Sequence, residues 1–302
     1  MLPFARVSII GLGLIGSSIA RAIREHMPGV AITGHDASAE TRETARALKL
    51  ADDVTDTPGA AVTDAALVIL CVPVGAMGDA AAAIAAELPA EAIVSDVGSS
   101  KASVMAAIQA ALPANTVIPA HPVAGTERSG PEAGFASLFH NRWCILTPPE
   151  GADAGKVAQL QAFWERLGAN VEIMDAQHHD LVLAITSHLP HLIAYTIVGT
   201  ASDLEAVTRS EVIKYSAGGF RDFTRIAASD PTMWRDVFLT NKDAVLEMLQ
   251  RFSEDLTALQ RAIRWGDGDA LFDLFTRTRA VRRSIIEQGQ DDGRPDFGRA
   301  DH

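Results

Sequence analysis

Short apolar, β-branched runs alternate with amphipathic stretches through the first half of the chain. The runs VSIIG, VAITGHD, ALVILCVP, AIVSDVG, TVIPAHP, WCILTPP and NVEIMD are apolar at consecutive positions, as expected of parallel strands covered on both faces. Between them, SSIARAIREHM, AETRETARALKL and ASVMAAIQAAL repeat apolar residues at helical spacing. This alternation predicts an α/β, doubly wound, mainly parallel sheet. After Asp175 the pattern changes. AQHHDLVLAITSHLPHLIAYTIVGTASDL, DPTMWRDVFLTNKDAVLEMLQRFSEDLTALQRAIRWG and DALFDLFTRTRAVRRSII are long and amphipathic, and no convincing strand lies beyond that point. The expected organisation is an α/β domain over 1–175, an all-α domain over 176–288, and a polar tail over 289–302 that frays.

Composition narrows the partners. Of 302 residues, 48% are hydrophobic and 21% charged, enough for a large core. The formal net charge is −12 with no lysine- or arginine-rich block, which argues against nucleic acid. Anion binding then rests on locally placed arginines or backbone N–H groups. The two cysteines, Cys71 and Cys144, sit in apolar runs as buried filler and suit a reducing compartment. MLPFARVSII shows no leader pattern, and the longest strongly apolar run, AALVILCVPV, is far below the ~20 residues of a membrane helix. A cytoplasmic protein without a membrane segment is expected.

VSIIGLGLIGSSIARAI places Gly11, Gly13 and Gly16 between a predicted strand and helix. Gly11 suits the tight turn, Gly13 a close approach of backbone to pyrophosphate, and Gly16 close packing of helix on sheet. The first domain is therefore expected to be Rossmann-like. Its predicted cofactor-binding set is Gly11, Leu12, Gly13, Leu14, Ile15 and Gly16, with Val72 and Pro73 after the later strand ALVILCVP. Asp36 ends the second strand, 20 residues past Gly16, where its carboxylate accepts from ribose hydroxyls and repels a 2′-phosphate. NAD is expected rather than NADP. His35 is expected at the surface.

GLGLIG, DVGSSK, HPVAGTERSG, TSHLPH, GGFRDFTRIA and DPTMWRDVF occur together and in this order. The set resembles the prephenate/arogenate (cyclohexadienyl) dehydrogenases of tyrosine biosynthesis, from about Val7 to Ile286. The resemblance implies oxidative decarboxylation of prephenate to 4-hydroxyphenylpyruvate, or of arogenate to tyrosine, with hydride transfer to NAD. It also implies a homodimer built through the helical domain. Such a reaction needs a proton acceptor at the ring hydroxyl and cations for two carboxylates.

His121, on a proline-bounded loop, fits the acceptor. By resemblance Ser99 assists by hydrogen bonding to the substrate hydroxyl and the histidine, with Ser100 adjacent. Lys101 is left to cap or solvate the next helix. Thr126 and Glu127 line the cleft. Ser187 and His191, four apart on a helix interrupted by Pro190, share a face, and the resemblance points that face at substrate. His188 is expected to be structural, and His178 and His179 carry no assigned role. Arg225 matches the family's carboxylate-binding arginine, with Arg221 a second candidate for the side-chain end; a guanidinium fork suits a carboxylate. Trp234 has two alternatives, a reach into the partner's active site or an ordinary core position. The histidines lack companion ligands at metal spacing, so no metal is expected. Two competitors stand: a β-hydroxyacid dehydrogenase using Lys214 or Lys242, and a dinucleotide-sensing protein without turnover.

Overall fold

The computed structural model describes residues 2–126, 128–203, 211, 214–215 and 218–287. Glu127 and the tail 289–302 lie outside the described residues. Six strands, β1 (Arg6–Ile10), β2 (Ala31–His35), β3 (Asp53–Val54), β4 (Leu67–Leu70), β5 (Ile93–Asp96) and β6 (Thr116–Val117), form one parallel sheet in the order β3-β2-β1-β4-β5-β6. The order reverses between β1 and β4, so a crevice opens at the carboxyl ends of these strands. Strand alternation divides the core. Val7, Ile9, Leu67 and Ile69 enter one apolar cluster, and Ile10, Val68, Leu70 and Val94 the other. Helix α1 (Leu14–His26) begins directly after the glycine turn.

The last two predicted strands, and the second half of the one before them, do not join this sheet. TVIPAHP splits at Pro119, which has no N–H to continue a ladder. Ile118 N still donates to Val94 O (2.9 Å), whereas Pro119 O accepts from Thr147 N (3.0 Å). The chain thus passes into a separate sheet, in which β7 (Ala120–Pro122) runs antiparallel to β8 (Trp143–Leu146) and β8 parallel to β9 (Asn170–Ile173). His121 therefore sits on a strand, opposite Ile145, and not on the expected loop.

Strands end at Ile173 and helix begins at Ala176, capped by Asp175, whose carboxylate accepts from Gln177 N (2.9 Å) and His178 N (3.0 Å). Pro190 does not break this helical stretch. Helix α7 (Ala176–Leu183), a π-turn (Ala184–His188) and helix α8 (Leu189–Ser202) are continuous. Leu189 N–H reaches back to Ala184 O. The extra residue in that turn absorbs the donor that proline lacks. The resulting helix, Ala176–Ser202, has 27 residues and contains an 18-residue window of mean hydropathy 1.6, enough by length and composition to cross a membrane. Histidine, serine and threonine punctuate the stretch, so no unbroken apolar run marks it in the sequence.

The chain divides into two compact units, Met1–Leu246 and Glu247–His302. The first holds both sheets and every described candidate site residue. The second, described as far as Glu287, is helical and exposes Leu256, Ile263, Trp265, Phe272 and Phe275.

A Cβ at Gly16 would lie 1.9 Å from Gly11 O, whereas one at Gly13 would meet nothing within 4 Å. Gly16→Ala is therefore expected to lose about 1–3 kcal/mol of stability, and Gly13→Ala less than about 0.5 kcal/mol. Urea denaturation of the two variants checks this; equal losses would contradict the packing assigned to Gly16.

Candidate active site

The glycine turn forms an anion cradle. Gly11 has φ +101°, which L side chains rarely adopt, and Val72 lies alongside it. The first helical bond runs from Ser17 N to Gly13 O (2.9 Å), and Gly13 supplies no side-chain cap. The N–H groups of Leu14, Ile15 and Gly16 thus precede the helical ladder and face the open side of Gly13. Asp36 closes the turn: Oδ2 accepts from Leu12 N (2.8 Å) and Oδ1 from Ser38 N (2.9 Å). Leu12 is buried, Leu14 and Ile15 are half-buried against the core, and Pro73 is exposed at the end of β4. His35, expected at the surface, is buried, with Nδ1 3.0 Å from Thr55 O. It ties β2 to the chain after β3.

His121 is 8% exposed, and its Nδ1 lies 2.9 Å from His179 Nε2. His179 Nδ1 in turn lies 2.9 Å from Asp180 Oδ1. The Asp180 carboxylate also accepts from Lys101 N (2.7 Å) and Ala102 N (3.0 Å), the start of helix α5 (Ala102–Ala111). Lys101 is not the solvated cap residue expected. Its side chain is fully buried, with Nζ bonded to Asp96 Oδ2 and to Ala120 O (2.7 Å). Asp96 accepts also from Gly98 N (2.8 Å). The ion pair thus grips the backbone next to His121. Burial pulls the His121 pKa well below 6.5, with His179, Lys101 and His188 adding to it, so the imidazole stays neutral. Among the described residues, neither Ser99 nor Ser100 shares a hydrogen bond with His121. Ser99 is half-buried, and the buried Ser100 hydroxyl pairs with Thr240 Oγ1 (2.8 Å).

A line of rings continues from this cluster. His188 is fully buried and its Nδ1 lies 3.1 Å from Asn241 Nδ2, which also donates to Asp180 O (2.8 Å). Trp234 lies 6.1 Å from His188 and stacks on His191 at 3.6 Å and 23°. It is 6% exposed and packs in the core of its own chain beside Tyr195 and Phe238. His191 Nδ1 donates to Ser187 O (2.9 Å), and Arg225 is close enough to help burial lower the His191 pKa. Tyr195 Oη donates to Ser229 O (2.8 Å), holding the turn Arg225–Ala228 against α8. His121, His179 and Asp180 are thus hydrogen-bonded in line, Asn241 links Asp180 O to His188, and the His188, Trp234 and His191 rings are in contact. Arg225 is near enough to act on the His191 charge.

Known proteins are similar to this chain in sequence and in fold. Residues 19–173 match the prephenate dehydrogenase nucleotide-binding domain, and residues 175–277 the prephenate dehydrogenase dimerization domain. The chain belongs to the prephenate dehydrogenase family. It is 47% identical to the cyclohexadienyl dehydrogenase of Zymomonas mobilis, over 94% of this chain and 97% of that protein. The crystal structure of A. aeolicus prephenate dehydrogenase with hydroxyphenyl propionate and NAD+ superposes with TM-score 0.87 at 33% identity, covering 94% and 98% of the two chains. Synechocystis arogenate dehydrogenase gives 0.79 at 26% identity, covering 93% and 99%.

The remaining candidates of this prephenate dehydrogenase family member are more scattered. Thr126 Oγ1 accepts from Arg128 N (3.2 Å) in a local turn, Glu127 lies outside the described residues, and Arg221 is exposed. Lys214 and Lys242, the lysines a β-hydroxyacid dehydrogenase would use, are also exposed. Sequence reasoning missed His179, Asp180 and Asn241. The signal was the unbroken HHD at the domain change, which offers two donors and an acceptor just where the chain turns back to the sheet.

Burial holds the His188 pKa at about 4, with His179 and His191 adding to the depression and Asp180 opposing it. The unfolded chain takes up this proton near 6.5, the folded one only near 4. Stability from this group is complete above the unfolded value and is lost as pH falls through that window, by up to about 1.4 kcal/mol per pH unit. Urea midpoints measured from neutral pH down through this window should fall, and His188→Leu should fall less steeply. A wild-type midpoint that does not move would contradict the buried neutral assignment.

Proposed function

We propose that this chain catalyses the oxidative decarboxylation of prephenate, arogenate or both, with hydride transfer to NAD, as the dehydrogenase of tyrosine biosynthesis. The observation that carries the reading is the buried line of rings from His121 through His179 to the His191–Trp234 stack, with Arg225 near enough to act on His191, in a chain that also carries the glycine turn. The functional division matches the break in sequence pattern, with 1–175 binding the cofactor and 176–288 supplying the substrate side and the homodimer contact.

The residues present fit the cofactor. The unpaired N–H groups of Leu14, Ile15 and Gly16 receive the pyrophosphate, and the bare Cα of Gly13 leaves room for it. Asp36 has lone pairs left for the ribose hydroxyls and repels a 2′-phosphate. Arg42 uses its donors on Asp36 O (2.8 Å), Ala37 O (3.1 Å) and Asp56 (3.3 Å), which favours NAD over NADP. Bound NAD supplies the hydride acceptor.

His121 receives the proton of the ring hydroxyl as the C4–H bond yields its hydride. Carbon–carbon cleavage then releases the ring carboxylate as carbon dioxide, the ring becomes aromatic, and the phenolate oxygen takes the proton back from His121. Ser99, freer than Ser100 because the latter is tied to Thr240, hydrogen-bonds the same hydroxyl. Arg225 binds the ring carboxylate and His191, with the Ser187 turn, flanks it. Thr126, Glu127 and Arg221 serve the outer side of the substrate. Trp234 stiffens His191 by stacking.

NADH absorbance should rise when the protein is given NAD with prephenate or arogenate. No signal with either would reject the reading, and a run with NADP in parallel tests the Asp36 assignment. His121→Asn should bind NAD normally yet lose about 10²-fold or more in kcat, the scale of lost acid–base help. Arg225→Ala should mainly raise KM, since it removes ground-state carboxylate binding; an unchanged KM would remove Arg225 from the site.

A further inference from the structure

Which nitrogen of His121 carries the proton decides whether it is a base, and the geometry answers this through a residue two steps away. Asp180 is an acceptor only. Both of its oxygens take backbone N–H bonds at the start of α5, from Lys101 N (2.7 Å) and Ala102 N (3.0 Å). With backbone donors on both oxygens, the carboxylate faces His179 as an acceptor. His179 Nδ1, 2.9 Å from Asp180 Oδ1, must then be the donor. In a neutral ring the other nitrogen is a lone pair. His179 Nε2 lies 2.9 Å from His121 Nδ1, so His121 Nδ1 must carry the hydrogen. His121 Nε2 is left as a lone pair, and it makes no hydrogen bond among the described residues.

We infer that His179 is a positioning residue that fixes the tautomer of His121, with Asp180 setting the direction of the relay. This rests on the proposed role of His121 as proton acceptor. The same relay stabilises the imidazolium formed when Nε2 takes the substrate proton, because Nδ1–H then points at a lone pair backed by a carboxylate. It has one requirement, that His179 be neutral. A proton on its Nε2 would face His121 Nδ1 as a second donor and force the wrong tautomer. His121 is faced by His179, Lys101 and His188, and His179 by Asp180, Lys101 and Asp96. Burial favours the neutral form of His179 and Asp180 opposes it.

Two measurements on the full chain test this. Nitrogen NMR of 15N-histidine-labelled protein, with His121 assigned by its absence in His121→Asn, should show a protonated Nδ1 and a bare Nε2 above neutral pH. A proton on Nε2 would overturn the proposal without any reference to turnover. In steady-state kinetics with prephenate, His179→Leu should lower kcat by about 10²-fold or more with KM nearly unchanged. His179→Gln, whose carbonyl replaces the lone pair, should recover most of that loss. Equal losses in Leu and Gln variants that melt like the wild type would make His179 a spacer and refute the relay. If His121→Asn itself keeps its turnover, the acceptor assignment fails instead; if it is inactive while His179→Leu is not, only the relay fails.

Discussion

One buried carboxylate sets the geometry of this site. Asp180 takes hydrogen bonds from Lys101 N, Ala102 N and His179 Nδ1, while its own carbonyl receives Asn241 Nδ2. Four segments meet there: the start of α5, the first turn of α7, the base-bearing strand through His179, and the end of the helix Pro231–Thr240. A buried charge is tolerable only when its lone pairs are filled. Satisfying Asp180 therefore requires all four segments in place at once, and the requirement works as an alignment device. Lys101 repeats the logic one step away. Its ion pair with Asp96 and its bond to Ala120 O clamp the strand carrying His121 from behind.

Burial has a second consequence. His121, His179, His188 and His191 all have lowered pKa values, with desolvation the leading cause in each. Four imidazoles are thus kept neutral in a small volume. In the proposed reaction this is what a base requires at rest, and it becomes a cost at the moment of proton transfer. A dianionic substrate beside Arg225 reverses the balance, since added negative charge favours the imidazolium. In the proposed reaction the substrate thus supplies part of the field that lets His121 accept its proton.

The sequence revealed those parts of the molecule whose causes are local. Gly11, Gly13, Gly16 and Asp36 fall within one βαβ unit, where spacing along the chain nearly equals spacing in space. The alternation of apolar runs likewise reported a sheet covered on both faces. His121 and Arg225 were proposed from motifs. What stayed hidden depends on contacts between distant positions. Nothing in HHD says that His179 meets a ring 58 positions earlier. Lys101 comes after two serines, an ordinary helix start, and only Asp96 and the strand at Ala120 make it a core residue. Pro119 was visible, but its effect, sending the chain into a second sheet, needed a partner strand at Trp143–Leu146.

The helix Ala176–Ser202 shows how two demands share one element. Asp180, His188 and Ala194 are buried, whereas Leu181, Ile185, Ile197 and Val198 are exposed. A purely solvated helix would carry charge on that outer side; here it is apolar, and it falls in the span matched to a dimerization domain. An apolar outer face loses water favourably when a second copy covers it. The π-turn at Ala184–His188 lies midway along the same helix, and inserting one residue rotates everything beyond it by about a quarter turn relative to an unbroken α-helix. That rotation sets His191 relative to Asp180, and so, in the proposed site, the angle between the substrate-binding face and the histidine pair. Covering the outer face would hold the helix straight across its least regular turn. Dimerisation and the alignment of the site are in this way mechanically the same problem.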